Sequence, residues 1–158
     1  MTRILAIDPG PERSAGVIVD TQTEPPYPTS FSIYPNDDLL RWIHGSPPMR
    51  VEDVVIEKVA SYGMPVGAEV FETVYWSGRF AEACQPVPVH RLTRKQAVLH
   101  LCNSPRGNDG TVRAALIDRF GGKAIAIGNK AHPGPLYGIK ADLWAALAVA
   151  VTWADQNP

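Results

Sequence analysis

Two acidic residues stand where short apolar segments of the sequence end. Asp8 follows the apolar residues 4–7 and precedes a Pro-Gly turn, and Glu57 follows the apolar residues 54–56. Both segments predict β-strands, and carboxylates at the carboxyl ends of strands lie at the sheet edge where ligands usually bind. Two other interpretations stay open at this point. An Asx turn explains Asp8 without any function, and a salt bridge to Lys58 or to an arginine explains Glu57.

A third acidic residue, Asp142, immediately precedes the longest apolar run of the chain. Residues 143–151 are all apolar, which predicts a buried helix. Taken alone, Asp142 is explained equally well by the helix dipole, because an aspartate in the first turn of a helix is favourable.

The chemistry follows from the three acids together. If the first and fourth strands are neighbours and the last helix packs across their ends, Asp8, Glu57 and Asp142 meet at one place. Carboxylates that meet in this way repel one another unless cations compensate. Oxygen ligands on separate elements suit Mg²⁺ or Mn²⁺, and two such ions about 4 Å apart stabilise the attacking and leaving oxygens of phosphodiester hydrolysis. We therefore predict that these residues are catalytic and bind metal, with two ions per site.

The order of the predicted elements is typical of an α/β fold. Three strands come first, and helices then alternate with two further strands. We predict a mixed five-stranded sheet whose first three strands are antiparallel, with helices on both faces and a single domain over residues 1–158. Strands are predicted at residues 4–7, 15–19, 31–34, 54–56 and 87–89, helices at 36–43, 66–83, from 93, 111–120 and 139–155, a proline-rich loop at 23–29 and irregular chain at 123–138.

Charge is distributed unevenly along the chain. Residues 1–85 carry six Lys or Arg against twelve Asp or Glu, whereas residues 86–140 carry nine against two. This segregation suits a protein that holds cations with one part and a polyanion with another. A chance distribution of solvated charges is the alternative.

Composition excludes several classes of protein. With 45% hydrophobic and 20% charged residues, the chain has the balance of a globular protein. No segment approaches the roughly 20 apolar residues that span a bilayer, and residues 3–8 predict a strand rather than a signal peptide. Cys84 and Cys102 lie in predicted helices without metal-site spacing, so we expect reduced thiols. These features predict a protein of the cytoplasm (the host cytoplasm if a phage encodes it) with no membrane contact.

Three segments of the sequence resemble RuvC-type Holliday junction resolvases, which belong to the RNase H-like superfamily. Residues 4–10 with 15–18 are similar to the opening of that family, residues 55–57 to its second acidic motif, and residues 140–150 to its C-terminal helix. The order and spacing match over nearly the whole chain, and the shorter phage members are the most similar. The resemblance implies a homodimeric, Mg²⁺-dependent or Mn²⁺-dependent crossover junction endodeoxyribonuclease that acts on four-way DNA junctions, with an RNase H-like fold.

The sequence departs from the family pattern at two positions. The bacterial resolvases have a second acid three residues into the last helix, where this chain has Ala145. They also have an aromatic residue three positions after the second acid, where this chain has Ala60, and Tyr62 is the nearest substitute. The first departure bears on the geometry of the metal site, and the second bears on how a junction is opened.

The basic part of the chain supplies candidate DNA contacts. Cations near the proposed metals, at helix starts or in glycine-containing loops suit phosphate binding, and Arg113 matches in position a basic residue that the resembled family uses near its active site. An exposed aromatic residue can stack on unpaired bases. A solvated surface charge, or for the aromatic residue packing on the next helix, is the alternative for each. The predicted DNA contacts are Lys58, Tyr62, Arg94, Lys95, Arg106, Arg113 and Lys140.

Three alternative functions remain at this stage. An RNase H-like nuclease could act on RNA–DNA hybrids or flaps instead of junctions. A catalytically silent relative could bind branched DNA without cutting it, and the alanine at position 145 favours this alternative. An actin-like ATPase also has an aspartate turn after its first strand, but it needs a second phosphate-binding domain, so we predict no nucleotide cofactor.

Overall fold

The computed structural model describes residues 2–45 and 50–158 of the protein. Its centre is a five-stranded sheet in the order β3-β2-β1-β4-β5. The strands are β1 (Arg3–Asp8), β2 (Arg13–Asp20), β3 (Tyr27–Pro35), β4 (Asp53–Lys58) and β5 (Val89–Thr93). The helices are α1 (Asn36–Ile43), α2 (Ala68–Ala83), α3 (Arg94–Cys102), α4 (Asp109–Arg119), α5 (Lys123–Ala126) and α6 (Leu143–Gln156).

The pairing of the strands confirms the predicted mixed sheet. β1 is antiparallel to β2, and β2 is antiparallel to β3. β1 is parallel to β4, which is parallel to β5. β1 and β4 are apolar along their length because both faces of these central strands are covered.

Helices cover both faces of the sheet and create two cores. On one face α6, α3 and α4 pack around Val17, Val55 and Leu147, which are fully buried. On the other face α1 and α2 cover Leu5 and Ile56. The long apolar run of α6 lies against β1 and β2, which explains why nearly every residue of its first nine is buried.

Three predicted boundaries in the sheet and last helix are wrong. β3 begins at Tyr27, so Pro28 lies in a strand and not in a loop. An edge strand tolerates proline because one row of its N–H groups needs no partner. β5 runs from Val89 to Thr93 instead of residues 87–89, and α6 begins at Leu143 instead of residue 139.

The other helix predictions differ at their ends. α2 begins two residues later than predicted, and its buried face consists of Thr73, Ser77 and Phe80. α4 begins two residues earlier than predicted, after Asn108. Asn108 closes a capping box with Thr111, and this local bond sets the start of the helix more strongly than apolar spacing does. Residues 123–126 form the short α5 in a segment predicted to be irregular.

The loop that follows β1 is fastened by a buried polar network. Ser14 Oγ donates to Asn36 Oδ1 at 2.6 Å and accepts from the Gly10 N–H at 3.1 Å. Asn36 Nδ2 donates to the Gly10 carbonyl at 2.9 Å. Asn36 and Ser14 are 2% and 1% exposed, so the network is shielded from water. It fixes the turn immediately after Asp8.

None of the helices within residues 2–45 and 50–158 combines the length with the apolar character that a membrane span requires.

We expect Asn36→Leu to lower the free energy of unfolding by about 2 kcal/mol, because the Ser14 hydroxyl loses its acceptor and the Gly10 carbonyl loses its donor. Urea denaturation measures this. The matched control is Asp37→Leu, at the exposed next position of the same helix, which should cost less than half as much. Equal losses in the two variants would contradict a special role for the network.

Candidate metal centre and nucleic-acid interface

Asp8 and Glu57 lie side by side because β1 and β4 are parallel neighbours. Ile7 pairs with Ile56, so the residue that follows each of them projects at the same edge of the sheet. Asp8 is 9% exposed and Glu57 is 8% exposed. Burial and the adjacent Glu57 raise the pKa of Asp8 from 3.8 to about 9, although the nearby Arg94 opposes the rise.

The two carboxyl groups are within hydrogen-bonding distance of each other. Two ionised carboxylates both accept hydrogen bonds and neither donates one, so the contact needs a shared proton or a cation. Oε2 of Glu57 is buried with no hydrogen-bond donor among the described residues. The paired oxygens, one of them without a donor, fit a hard divalent cation such as Mg²⁺ or Mn²⁺.

Asp142 lies beside this pair rather than in it. Its side chain is exposed and makes no capping hydrogen bond at the start of α6. Its charge also raises the pKa of Asp8, and it lines the same cleft as Glu57. Within residues 2–45 and 50–158, no three His, Cys, Asp or Glu side chains form a group able to hold one ion. The structure therefore brings together two of the three predicted ligands and leaves the third nearby.

The turn before Asp142 is conformationally unusual. Ala141 has a φ of +47°, in the left-handed region that costs a residue with a Cβ about 1 kcal/mol or more. The carbonyl of Asp142 accepts the N–H of Ala146 at 3.1 Å, so the strained turn leads directly into α6. Strain of this kind is often found at functional sites.

Arg94 contacts Glu57, one of the two paired carboxylates. Its Nε lies 3.1 Å from Glu57 Oε1, and Nη1 lies 3.6 Å from Asp109 Oδ1. Burial lowers the pKa of Arg94, but the charges on Glu57, Asp8 and Asp109 outweigh burial and raise the pKa above its ordinary value. Arg94 was predicted as a DNA contact, and the structure places its guanidinium on the acids.

Two clefts meet at Glu57 and Arg94. The larger has a volume of about 350 Å³ and lies between α3, α4 and α6, with Asp142, Arg113 and Ala145 in its wall. The smaller, of about 260 Å³, contains Asp8, Lys58 and Tyr62. Glu57 is therefore reachable from both clefts, and Asp8 from the smaller one.

Tyr62 and Lys95 form one exposed unit beside the smaller cleft. Tyr62 is 57% exposed at the tip of a loop, with a φ of +51° followed by +79° at Gly63. The Lys95 ammonium lies 5.5 Å from the centre of its ring. Lys58 is exposed and lines the same cleft. Three predicted DNA contacts thus border the acidic pair.

The remaining predicted DNA contacts are more widely spread. Arg113 lies over the Trp144 ring at 5.0 Å and lines the larger cleft. Lys140 is exposed and lines a third cleft together with Arg13. Arg106 is exposed in the loop before α4.

Sequence reasoning missed three residues of this region. Asp109, 86% exposed in its side chain, holds the second side of Arg94, but nothing in its sequence context distinguishes it from a helix-start aspartate. Arg13 reaches the groove beside Lys140 only through the β2–β3 pairing. Asn36 was interpreted as a helix-start residue, and its side chain fastens the loop after Asp8.

Solved structures with the same fold identify the architecture. Thermus thermophilus RuvC matches with a TM-score of 0.62 at 19% identity, over 96% of this chain and 92% of that chain. Thermus thermophilus RuvC in complex with Holliday junction substrate matches with a TM-score of 0.66 at 19% identity and the same coverage. The Fowlpox virus resolvase, in a complex with Holliday junction DNA, matches with a TM-score of 0.51 at 14% identity over 97% of this chain and 99% of that chain.

These similarities confirm the predicted RNase H-like fold and support the resemblance to RuvC. No model of a known protein family matches the sequence, and no curated protein matches it either.

We expect Asp8→Asn to stabilise the protein in metal-free buffer at pH 8 by about 2 kcal/mol, because it removes a carboxyl that is ionised in the unfolded chain and must take up a proton on folding. Between pH 3.8 and about 9, the Asp8 carboxyl keeps its proton in the native state but has lost it in the unfolded chain. Wild-type stability should therefore fall through that window relative to the variant.

Urea denaturation from pH 4 to pH 9 measures this difference. Asp118→Asn, at an exposed position of α4, is the control and should follow the wild type. Parallel pH profiles for wild type and Asp8→Asn would show that the carboxyl is not perturbed.

Proposed function

We propose that the chain is a metal-dependent crossover junction endodeoxyribonuclease that resolves four-way DNA junctions by phosphodiester hydrolysis. The observation that carries this proposal is the buried contact between Asp8 and Glu57, with Asp142 beside it. Placing two like charges in contact away from water is costly, so such a pair suits a protein that binds a compensating cation there. The neighbours in fold include two resolvase structures described with Holliday junctions, which supports branched DNA as the substrate class.

The carboxylates have separate roles in this mechanism. Asp8 and Glu57, at the ends of β1 and β4, would hold a divalent ion. Asp142 would contribute a further metal ligand from the wall of the larger cleft. Magnesium or manganese, with two ions when all three acids take part, would supply Lewis-acid assistance to phosphodiester hydrolysis. The buried network behind Gly10 keeps the Asp8 turn in place. The main-chain position of Asp142 is set by the turn at Ala141.

The borders of the two clefts suit a branched nucleic acid. Lys58, Lys95 and Arg113 would bind phosphates close to the scissile one, and Lys140 with Arg106 would bind phosphates farther along the arms. Tyr62 would stack on a base exposed at the branch point, because its ring is exposed and a cation already lies on one face. These contacts position the backbone and favour unpaired bases over continuous duplex.

Symmetric cleavage of a junction needs two active sites, and a second copy of this chain would supply the other. α2 presents Phe71, Val74 and Tyr75, which are 65%, 47% and 57% exposed. Residues three and four positions apart lie on one face of a helix, so the three form a continuous apolar surface. Met64, in the loop before α2, is also exposed, at 70%. Apolar surfaces of this kind usually form interfaces, and we propose that this one pairs two protomers.

A catalytically silent DNA-binding protein is the second candidate. Two observations favour it: Ala145 stands where the resembled family has an acid, and no three-ligand group is formed within the described ranges 2–45 and 50–158. Such a protein would bind junctions but leave them intact.

We expect Asp8→Asn and Glu57→Gln to reduce Mg²⁺-dependent nicking of a synthetic four-way junction by more than about 100-fold, a larger loss than outer-shell changes produce. Junction binding, measured by gel shift, should persist because the phosphate-binding cations are unchanged. Gel electrophoresis of end-labelled strands measures the nicking.

Asp118→Asn is the charge-matched control and should cleave normally. A matched duplex, a flap and an RNA–DNA hybrid complete the substrate series. If the wild type cleaves the hybrid or the flap in preference, that substrate replaces the four-way junction in the proposal. If the wild type shows no Mg²⁺-dependent nicking, the catalytically silent DNA-binding protein is favoured.

We expect the double variant Phe71→Glu/Tyr75→Glu to be monomeric where the wild type is dimeric, because four desolvated carboxylate groups would face one another across the interface. Light scattering coupled to gel filtration measures the mass. Ile125→Glu, which places the same charge on another exposed apolar residue, should stay dimeric. A monomeric wild type would exclude the α2 interface.

A further inference from the structure

The starting observation is a cation that lies where the metal ligands lie. The Arg94 guanidinium contacts Oε1 of Glu57 at 3.1 Å, and its charge lowers the pKa of Asp8, which shows that it acts on both members of the pair. Arg94 also lines both clefts. The guanidinium occupies Oε1 of Glu57, and its positive charge repels a metal ion that approaches Oε2, which has no donor among the described residues.

The position of Arg94 is set by the chain around it. It is the first residue of α3, and the capping box between Thr93 and Gln96 fixes where that helix begins. Thr93 in turn pairs with Lys58, the residue after Glu57, across the β4–β5 ladder. The main chain at Arg94 is therefore held at a fixed position relative to β4, the strand that contains Glu57.

Asp109 gives the guanidinium a second partner. It belongs to the first turn of α4, on the far side of the larger cleft, and its Oδ1 is 3.6 Å from Nη1 of Arg94. Since the Asp109 side chain is 86% exposed, it is free to stay with Arg94 if the guanidinium leaves Glu57. Two other cations of the region contact rings instead: Arg113 lies over Trp144, and Lys95 lies over Tyr62.

We propose that Arg94 is a displaceable counter-ion: it neutralises Glu57 when DNA is absent, and it transfers to a backbone phosphate when DNA binds, which opens Glu57 to the divalent ion. The inference rests on the function proposed above and adds regulation to the same site. A guanidinium donates to phosphate oxygens as well as to carboxylate oxygens, so the exchange leaves Arg94 paired throughout. DNA and metal then bind cooperatively, because each removes the same competing contact.

The test is Mn²⁺ binding, followed by electron paramagnetic resonance, with and without a nicked duplex that represents the cleaved product and allows no turnover. Mn²⁺ bound by the DNA alone is measured separately and subtracted. We expect the wild type to bind Mn²⁺ about tenfold more tightly with DNA than without it, a coupling of ordinary size.

Arg94→Gln should bind Mn²⁺ about tenfold more tightly than the wild type without DNA, and DNA should then change its affinity less than about threefold, because the competing contact is gone. Arg94→Lys retains the charge but cannot contact Glu57 and Asp109 through separate nitrogens, so we expect an intermediate affinity. Arg91→Gln removes an exposed cation three positions away that lines neither cleft, and it should keep the DNA coupling of the wild type. Thermal unfolding checks that each variant is folded. If Arg94→Gln is unfolded, the Mn²⁺ affinity of Arg94→Lys serves as the test instead.

Two results would overturn the proposal. If Arg94→Gln and Arg91→Gln change Mn²⁺ affinity equally, Arg94 acts only as one more nearby charge. Junction nicking by the wild type would in that case leave the nuclease function intact. If none of the folded proteins binds Mn²⁺ in either condition, the metal dependence of the nuclease falls together with the counter-ion role.

Discussion

The parallel pairing of β1 with β4 is the constraint on which the candidate site depends. Once Ile7 lies opposite Ile56, the next residue on each strand must project at the same sheet edge, and both are acids. The two acids stay adjacent because each lies at the end of a central strand that is buried on both faces and cannot move independently of its neighbour. The protein therefore holds two buried carboxyl groups in contact, and Arg94, the two clefts and the polar network behind Gly10 surround that contact.

The negative charge of the Asp8–Glu57 pair can be neutralised in more than one way. A shared proton is one source, as the pKa of about 9 for Asp8 indicates, and the guanidinium of Arg94 is another. A divalent ion would be a third. Because these three sources compete for the same oxygens, the chemistry of the site depends on which of them is displaced and by what.

The sequence predicted the elements better than it predicted their contacts. Apolar runs located β1, β4 and α6, and the order of elements was enough to predict the mixed sheet. Thr93 was recognisable as a helix cap because capping is a local interaction. By contrast, the contact of Arg94 with Glu57 spans 37 positions and depends on the β4–β5 register, which no local pattern contains. The starts of β3 and α6 were misjudged because pairing and backbone strain, rather than hydropathy, determine them.

The outer strand β3 has a further consequence for how the molecule behaves in concentrated solution. A free strand edge can recruit the edge of another molecule and so begin aggregation. β3 contains Pro28 near its beginning and Pro35 at its end, and its ladder with β2 is irregular at Ile18 and Val19. Prolines lack the N–H that such recruitment needs, and an irregular ladder distorts the edge that a flat partner would require. The strand that closes this side of the sheet thus also discourages its growth into polymers.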